Sequence, residues 1–234
     1  MANDTRFCMA LAPETLTAAD QALLAGRKAA LLKANQWAAA SVIKVAFLDG
    51  DPALQAKVKA VAKQWTNTGL ANLTLSFIAD PKKAQIRIAF TPGDGSWAYV
   101  GTYCTTLKYP EPTMNFGWLT PASSDVEIRS VVLHEFGHAL GLIHEHQNPK
   151  QPIKWNVAAV KAALSGPPNN WDAATIEHNM FAKYDLTKVT ATPVDDKSIM
   201  MYPIPQTWTL DGFSAGFNAD LSADDKALIK KCYP

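Results

Sequence analysis

The stretch from His134 to His144, His-Glu-Phe-Gly-His-Ala-Leu-Gly-Leu-Ile-His, constrains this chain more tightly than any other. Residues four apart share one helix face, about 6 Å apart along the axis, so a helix lets the imidazoles of His134 and His138 converge on one ion. Glu135 is one step and about 100° further round, which leaves its carboxylate beside that ion rather than on it. Gly141 stands three residues past His138, where a helix is commonly ended by the left-handed conformation that glycine adopts without a Cβ clash. The chain can then turn sharply and bring back His144 as a third ligand. Three neutral imidazoles with an open fourth position are the donor set of catalytic zinc, whereas structural zinc is closed by four protein ligands. Four of the five histidines lie between positions 134 and 146. Histidines satisfied on an ordinary amphipathic helix do not account for that clustering.

The helix carrying this pair has a start signal and an anchor. Ser124, Asp125, Val126 and Glu127 form a capping box, and Ile128, Val131, Val132, Phe136 and Leu140 recur at helical spacing, able to hold it against a sheet. Earlier in the chain, residues 41–48 read as a buried first strand stopped by Asp49-Gly50-Asp51-Pro52. Pro52 opens a helix to about Asn67 with Leu54, Val58, Val61, Ala62 and Trp65 on one stripe, and Gly69 ends it. Residues 73–78 and 85–90 read as two more strands, so the order strand, helix, strand, strand predicts an α/β sheet with a crossover. Residues 91–97 read as a plain turn, because their glycines are followed by neither the lysine nor the helix of a phosphate cradle. Residues 113–119 form a short strand that Gly117 marks as an edge or a bulge. Asn115, Phe116, Gly117 and Trp118 are therefore expected either to offer an edge to an extended peptide or to be an aromatic strand that merely packs. Beyond His144, Pro149, Pro152, Pro167 and Pro168 punctuate a less regular stretch with short helices near 157–164 and 173–181. His178 within it reads as an exposed or partner-satisfied histidine. Ser222 caps a last helix through about Lys231.

Residues 198–203 read Ser-Ile-Met-Met-Tyr-Pro. Alone, two methionines in a turn are filler for an apolar gap. Together with the long histidine motif they resemble the metzincin zinc endopeptidases, closest to astacin-like bacterial and fungal enzymes, which share Glu145 after the third histidine and the pattern Ser198-x-Met200-x-Tyr202. The resemblance implies an α+β, zincin-like fold. Its upper lobe would hold a twisted, mostly parallel sheet with an antiparallel edge strand plus backing and active-site helices, above an irregular helical lower lobe and a cleft. It implies one catalytic Zn2+ held by His134, His138 and His144, with Met200 as an apolar floor beneath the rings. Tyr202 would coordinate zinc or swing to stabilise the oxyanion. The implied activity is hydrolysis of internal peptide bonds, with a zinc-activated water and Glu135 as general base. The chain departs from the family pattern in lacking an Arg-Asp-Arg-like stretch after the third histidine and in having few cysteines. About forty residues also precede the first predicted strand, so Glu145 reads as a loop-ordering residue rather than the partner of a buried N-terminal amine, and His146 as an exposed neighbour. The alternative function is a catalytically silent zinc-scaffold binding or toxin-like module. Glu135 argues against it, because holding a metal does not require that carboxylate.

Residues 1–36 read as an N-terminal extension and 37–234 as the catalytic domain, with its upper lobe to about 141 and its lower lobe from about 142. Residues 14–34 have the Ala, Leu and Lys content of a helix, with Thr17 and Asp20 at its start. Helical patterning favours docking on the back of the domain; the other reading is a prosegment over the cleft, with Asp4 or Cys8 blocking the metal. Cys8, Cys104 and Cys232 form no C-x-x-C pair, and a Cys8–Cys232 bridge is the one pairing that would tie the two ends together. A net charge of +1 gives no electrostatic case for nucleic acid or an anionic membrane. No run reaches the roughly 18 apolar residues that span a bilayer, and the first residues do not read as a signal peptide. The resemblance implies a secreted monomer acting on protein or peptide substrates.

Overall fold

The computed structural model describes residues 8–11, 33–150, 153–167, 169–182, 190 and 192–234. Asp4 lies outside these residues, as does nearly all of the helix expected at 14–34. The last part of that helix falls in a short 3-10 turn, Lys33–Asn35.

Six strands are described: β1 (Met9–Leu11), β2 (Val42–Phe47), β3 (Thr74–Phe77), β4 (Ile86–Ala89), β5 (Ser96–Tyr99) and β6 (Met114–Phe116). They make one sheet in the order β1-β5-β6-β4-β2-β3. β6, β4, β2 and β3 run parallel, and β5 is antiparallel to β6. This is the expected mostly parallel sheet with an antiparallel pair towards one edge. β1 extends the sheet beyond β5 in a parallel ladder, Met9↔Trp97, Ala10↔Ala98 and Leu11↔Tyr99. That strand precedes the one predicted as first.

Two expectations change here. Ser96 and Trp97, placed in a turn, begin β5. The stretch holding Asn115, Phe116, Gly117 and Trp118 is not an edge, because β6 is paired on both sides, with β4 and β5. Its polar member is used internally: Asn115 Nδ2 donates to Thr91 O and Gly95 O, and its Oδ1 accepts from Thr91 N. Gly117 is needed for close approach, since a Cβ there would lie 2.4 Å from Gly95 O and 2.6 Å from Thr91 O. The glycine thus records a turn folded back on the strand, not an exposed margin.

Helix α1 (Pro52–Ala62) starts at Asp51, whose Oδ1 accepts from Ala53 N and Leu54 N. It runs on as a 3-10 turn, Lys63–Thr66, so that Leu54, Val58, Val61, Ala62 and Trp65 are all buried as the stripe predicts. Helix α2 (Asp125–Ala139) starts at Ser124, whose Oγ accepts from Glu127 N. It packs against α1 and against strands β5 and β6, with Ile128, Val132, Leu133, Phe136 and Leu140 nearly inaccessible. Below it lie α3 (Val157–Leu164), α4 (Ala173–Ile176) continuing into a π turn, Glu177–Phe181, and α5 (Ala223–Cys232) with a full capping box from Ser222 and Asp225. A second apolar cluster, including Trp155, Val160, Leu164, Met180 and Tyr202, fills this lower part. No helix among the described residues is long and apolar enough to cross a membrane.

Candidate active site

Helix α2 ends where the spacing requires. Gly141 has φ +96°, Gly141 N donates to His138 O, and Leu142 N donates to Gly137 O. These two bonds make a Schellman turn. It reverses the chain and presents His144 to the same point as His134 and His138. His134 Nδ1 donates to Ile199 O (2.7 Å) and His138 Nδ1 to Leu142 O (2.9 Å), so each ring turns a bare Nε2 inward. His138 Nε2 and His144 Nε2 lie 3.2 Å apart.

A fourth donor joins them. Cys8, immediately before β1, places Sγ 2.9 Å from His134 Nε2, 3.2 Å from His144 Nε2 and 3.8 Å from His138 Nε2. The four donors lie within 4.8 Å of one another and all four residues are buried. A tetrahedral ion held at about 2.0–2.1 Å by nitrogen and about 2.3 Å by sulfur requires donor separations of about 3.3–3.6 Å. The observed spacings bracket that range. The donor set fits zinc. All three cysteines are free, so the Cys8–Cys232 bridge that the sequence left open is absent: Cys8 lies against the histidines instead.

Glu135 is buried beside this cluster, and its Oε2 has no hydrogen-bond partner. Tyr202 also borders the cluster, its ring centroid 4.3 Å from that of His144, and its hydroxyl donates to Cys8 O. Met200 packs against Gly137, where an added Cβ would meet its sulfur at 2.3 Å. The turn holding Met200 is tied from below by Asp225 of α5, which accepts from Ser198 Oγ and Ile199 N. Ile199 is the residue whose carbonyl orients His134, so α5 reaches the cluster through one intermediary. Glu145 orders the loop as expected: its Oε1 accepts from Asn148 Nδ2 and Asp195 N. The expectation for His146 is overturned. It is 1% exposed, because Glu145–Gln147 winds into a 3-10 turn that points its ring inward, against the rings of His144 and Tyr202. His178 is exposed, as one of its two readings had it.

Burial governs the protonation of the site. It lowers His134 to about 4 and holds His138 and His144 well below the usual imidazole range, where repulsion between neighbouring rings adds to it. The rings are thus neutral, the form that donates a lone pair to a metal. Burial also pushes the Glu135 carboxyl and the Cys8 thiol up, the thiol further because of the Glu135 charge. Both are electron-pair donors held in a place that disfavours their negative charge, and a cation reverses that penalty. Sequence reasoning under-read Cys8 and missed Asp225. The odd cysteine count bore on the first, and the capping-box aspartate is indistinguishable from any other helix cap.

Against known proteins, the family model described as Astacin (Peptidase family M12A) matches residues 31–233. Two solved structures of myroilysin are similar to this chain. One is 42% identical with a TM-score of 0.85, covering 88% of this chain and 98% of that one. The other is 38% identical with a TM-score of 0.69, covering 99% and 92%. The hatching enzyme zinc-protease HCE-1 of the medaka fish Oryzias latipes shares the fold at 16% identity and a TM-score of 0.58, over 86% of this chain and 94% of that one. No curated protein matches. With the histidine cluster in place and the family model matching residues 31–233, the chain belongs to the astacin family and is a zinc metalloendopeptidase.

Proposed function

We propose that Glu135 is the general base of peptide-bond hydrolysis, that Tyr202 stabilises the oxyanion, and that the segment around Cys8 holds the site closed. The observation that carries the first assignment is the buried Glu135 carboxylate, its Oε2 unpartnered, beside three converging imidazoles. His134, His138 and His144 would hold zinc, whose contribution when bound is Lewis-acid activation of water and of the scissile carbonyl. Glu135 takes the proton of the attacking water and delivers it to the leaving amine, a role worth about 10²–10⁴ in rate. The Tyr202 hydroxyl, once free of Cys8 O, donates to the oxygen that becomes negative as the carbonyl is attacked. Met200 keeps the floor beneath the rings apolar, which holds them neutral and fixed.

Residues 1–36 act as a prosegment in this reading. β1 fills the β5 edge, which an extended substrate would use for main-chain bonding, and Cys8 supplies the fourth ligand that changes an open catalytic site into a closed one. The substrates are proteins or peptides. An enzyme made with its site covered suits release outside the cell, acting as a monomer. Glu135→Ala should retain one zinc per chain by elemental analysis and lose about 10²–10⁴ in kcat/KM on a peptide substrate. Parent-level turnover by that variant would remove Glu135 from the chemistry.

A further inference from the structure

His146 lies two residues past the last ligand and takes no part in the donor set, yet it is among the most deeply buried polar groups in the molecule. Its ring is stacked on Tyr202, with centroids 4.4 Å apart and planes at 26°. The His144 ring lies near both, 5.2 Å from that of His146 and 4.3 Å from that of Tyr202. Nε2 donates to Asn179 O (2.7 Å) in the π turn Glu177–Phe181, which fixes the ring and its tautomer. The other nitrogen, Nδ1, is buried without a partner. Trp155 closes the pocket edge-on, at 6.1 Å and 83°. Leaving Nδ1 buried and unpaired destabilises the fold, and a leucine or phenylalanine would fill the same space without that penalty.

We infer that His146 is a positioning residue for Tyr202: anchored to the lower lobe through Asn179, it forms a flat wall that confines the phenol to one plane and aims its hydroxyl into the cleft. The inference rests on the reading that Tyr202 acts in the reaction. Tyr202 must change partner, from Cys8 O to a reacting oxygen, and a ring free to tilt would spend little time with its hydroxyl in line. A stacked neighbour permits sliding within the plane and opposes rotation out of it. The hydrogen bond to Asn179 keeps that neighbour from turning along with the ring.

The test uses the full chain carrying Cys8→Ser, so that the site is open, with His146→Ala and His146→Phe each made with Tyr202 or Phe at position 202. His146→Ala should lower kcat about tenfold with KM within about twofold, since a small misalignment of a reacting group costs rate more than binding. His146→Phe, which keeps a flat ring, should stay within about threefold of its parent. With Tyr202→Phe, His146→Ala should add less than about a twofold loss, because two residues acting as one unit are not additive. In the metal-free chain, the aromatic carbon–proton resonances that disappear in Tyr202→Phe should move downfield in His146→Ala and stay in place in His146→Phe. An undiminished effect of His146→Ala beside Tyr202→Phe, or unmoved Tyr202 resonances, overturns the inference and leaves the role of Tyr202 standing. Unchanged kcat in Tyr202→Phe alone overturns that role, and the inference with it.

Discussion

Glu145 illustrates how far a single carboxylate can be moved by its surroundings. Burial pushes it up to about 7 from an ordinary 4.5, although Asn148 Nδ2 and Asp195 N both donate to it; the nearby Asp225 and Asp195 carboxylates add to the rise. The folded chain therefore holds this proton more tightly than the unfolded chain. The stabilisation that follows is fully present below about 4.5, declines as pH rises, and is gone above about 7. Its ceiling is on the order of 3 kcal/mol. Glu145→Gln, neutral at every pH, should gain thermal stability over the parent as pH climbs from about 4.5 to about 7.5. Calorimetry at the two ends checks this, and a difference in Tm that does not vary with pH would contradict it.

At the scale of the element, α2 is both the central helix of the core and the carrier of two ligands. Its backbone is satisfied at each end, by Ser124 Oγ at the start and the Gly141 turn at the finish. Midway, Leu133 O accepts from Trp65 Nε1 of the α1 segment, which locks the helix against rotation. Gly137 costs the helix about 1 kcal/mol relative to alanine by propensity. It is there because a Cβ would lie 2.3 Å from Met200 Sδ and 3.2 Å from Trp65. Gly137→Ala should therefore destabilise the protein by about 1–3 kcal/mol despite the better propensity. It should also weaken zinc retention in competition with a chelator, because the turn beneath the rings must move. A stabilised Gly137→Ala protein with unchanged zinc affinity would show that Met200 yields freely.

Over the whole molecule, segments remote in sequence meet at the site and at the end of α2. Trp37 Nε1 donates to Ala139 O, and the penultimate residue, Tyr233, donates its hydroxyl to Leu140 O, so both ends of the family-matched region cover the terminal carbonyls of the ligand helix. From the other direction β1 delivers Cys8 to the histidines. Cys8→Ser in the full chain should raise peptidase activity by at least about tenfold, because a site occupied by its own segment binds substrate only in the fraction of time that it is open. In cobalt-substituted protein the same change should abolish thiolate-to-metal charge-transfer absorption. If that absorption is lacking in the parent, Cys8 is not a ligand.

The order of residues in α2, from the Ser124 cap through the His134–His138 pair to Gly141, sufficed to place three ligands, because helix periodicity and a left-handed turn are local and act within a dozen residues. The stripe of α1 and the Ser222 cap of α5 were legible for the same reason. The neighbours of a strand are not local: residues 113–119 look like a margin in sequence, and only pairing with both β4 and β5 makes β6 an interior strand. Burial of a polar side chain is likewise decided by what packs over it, which is why His146 read as exposed. Cys8 lies 126 residues from His134, and no periodicity connects two positions that far apart. What the sequence could determine was the chemistry available to one metal. That a fourth donor joins it was decided by tertiary structure, since Cys8 reaches the histidines beside a strand added at the edge of the folded sheet.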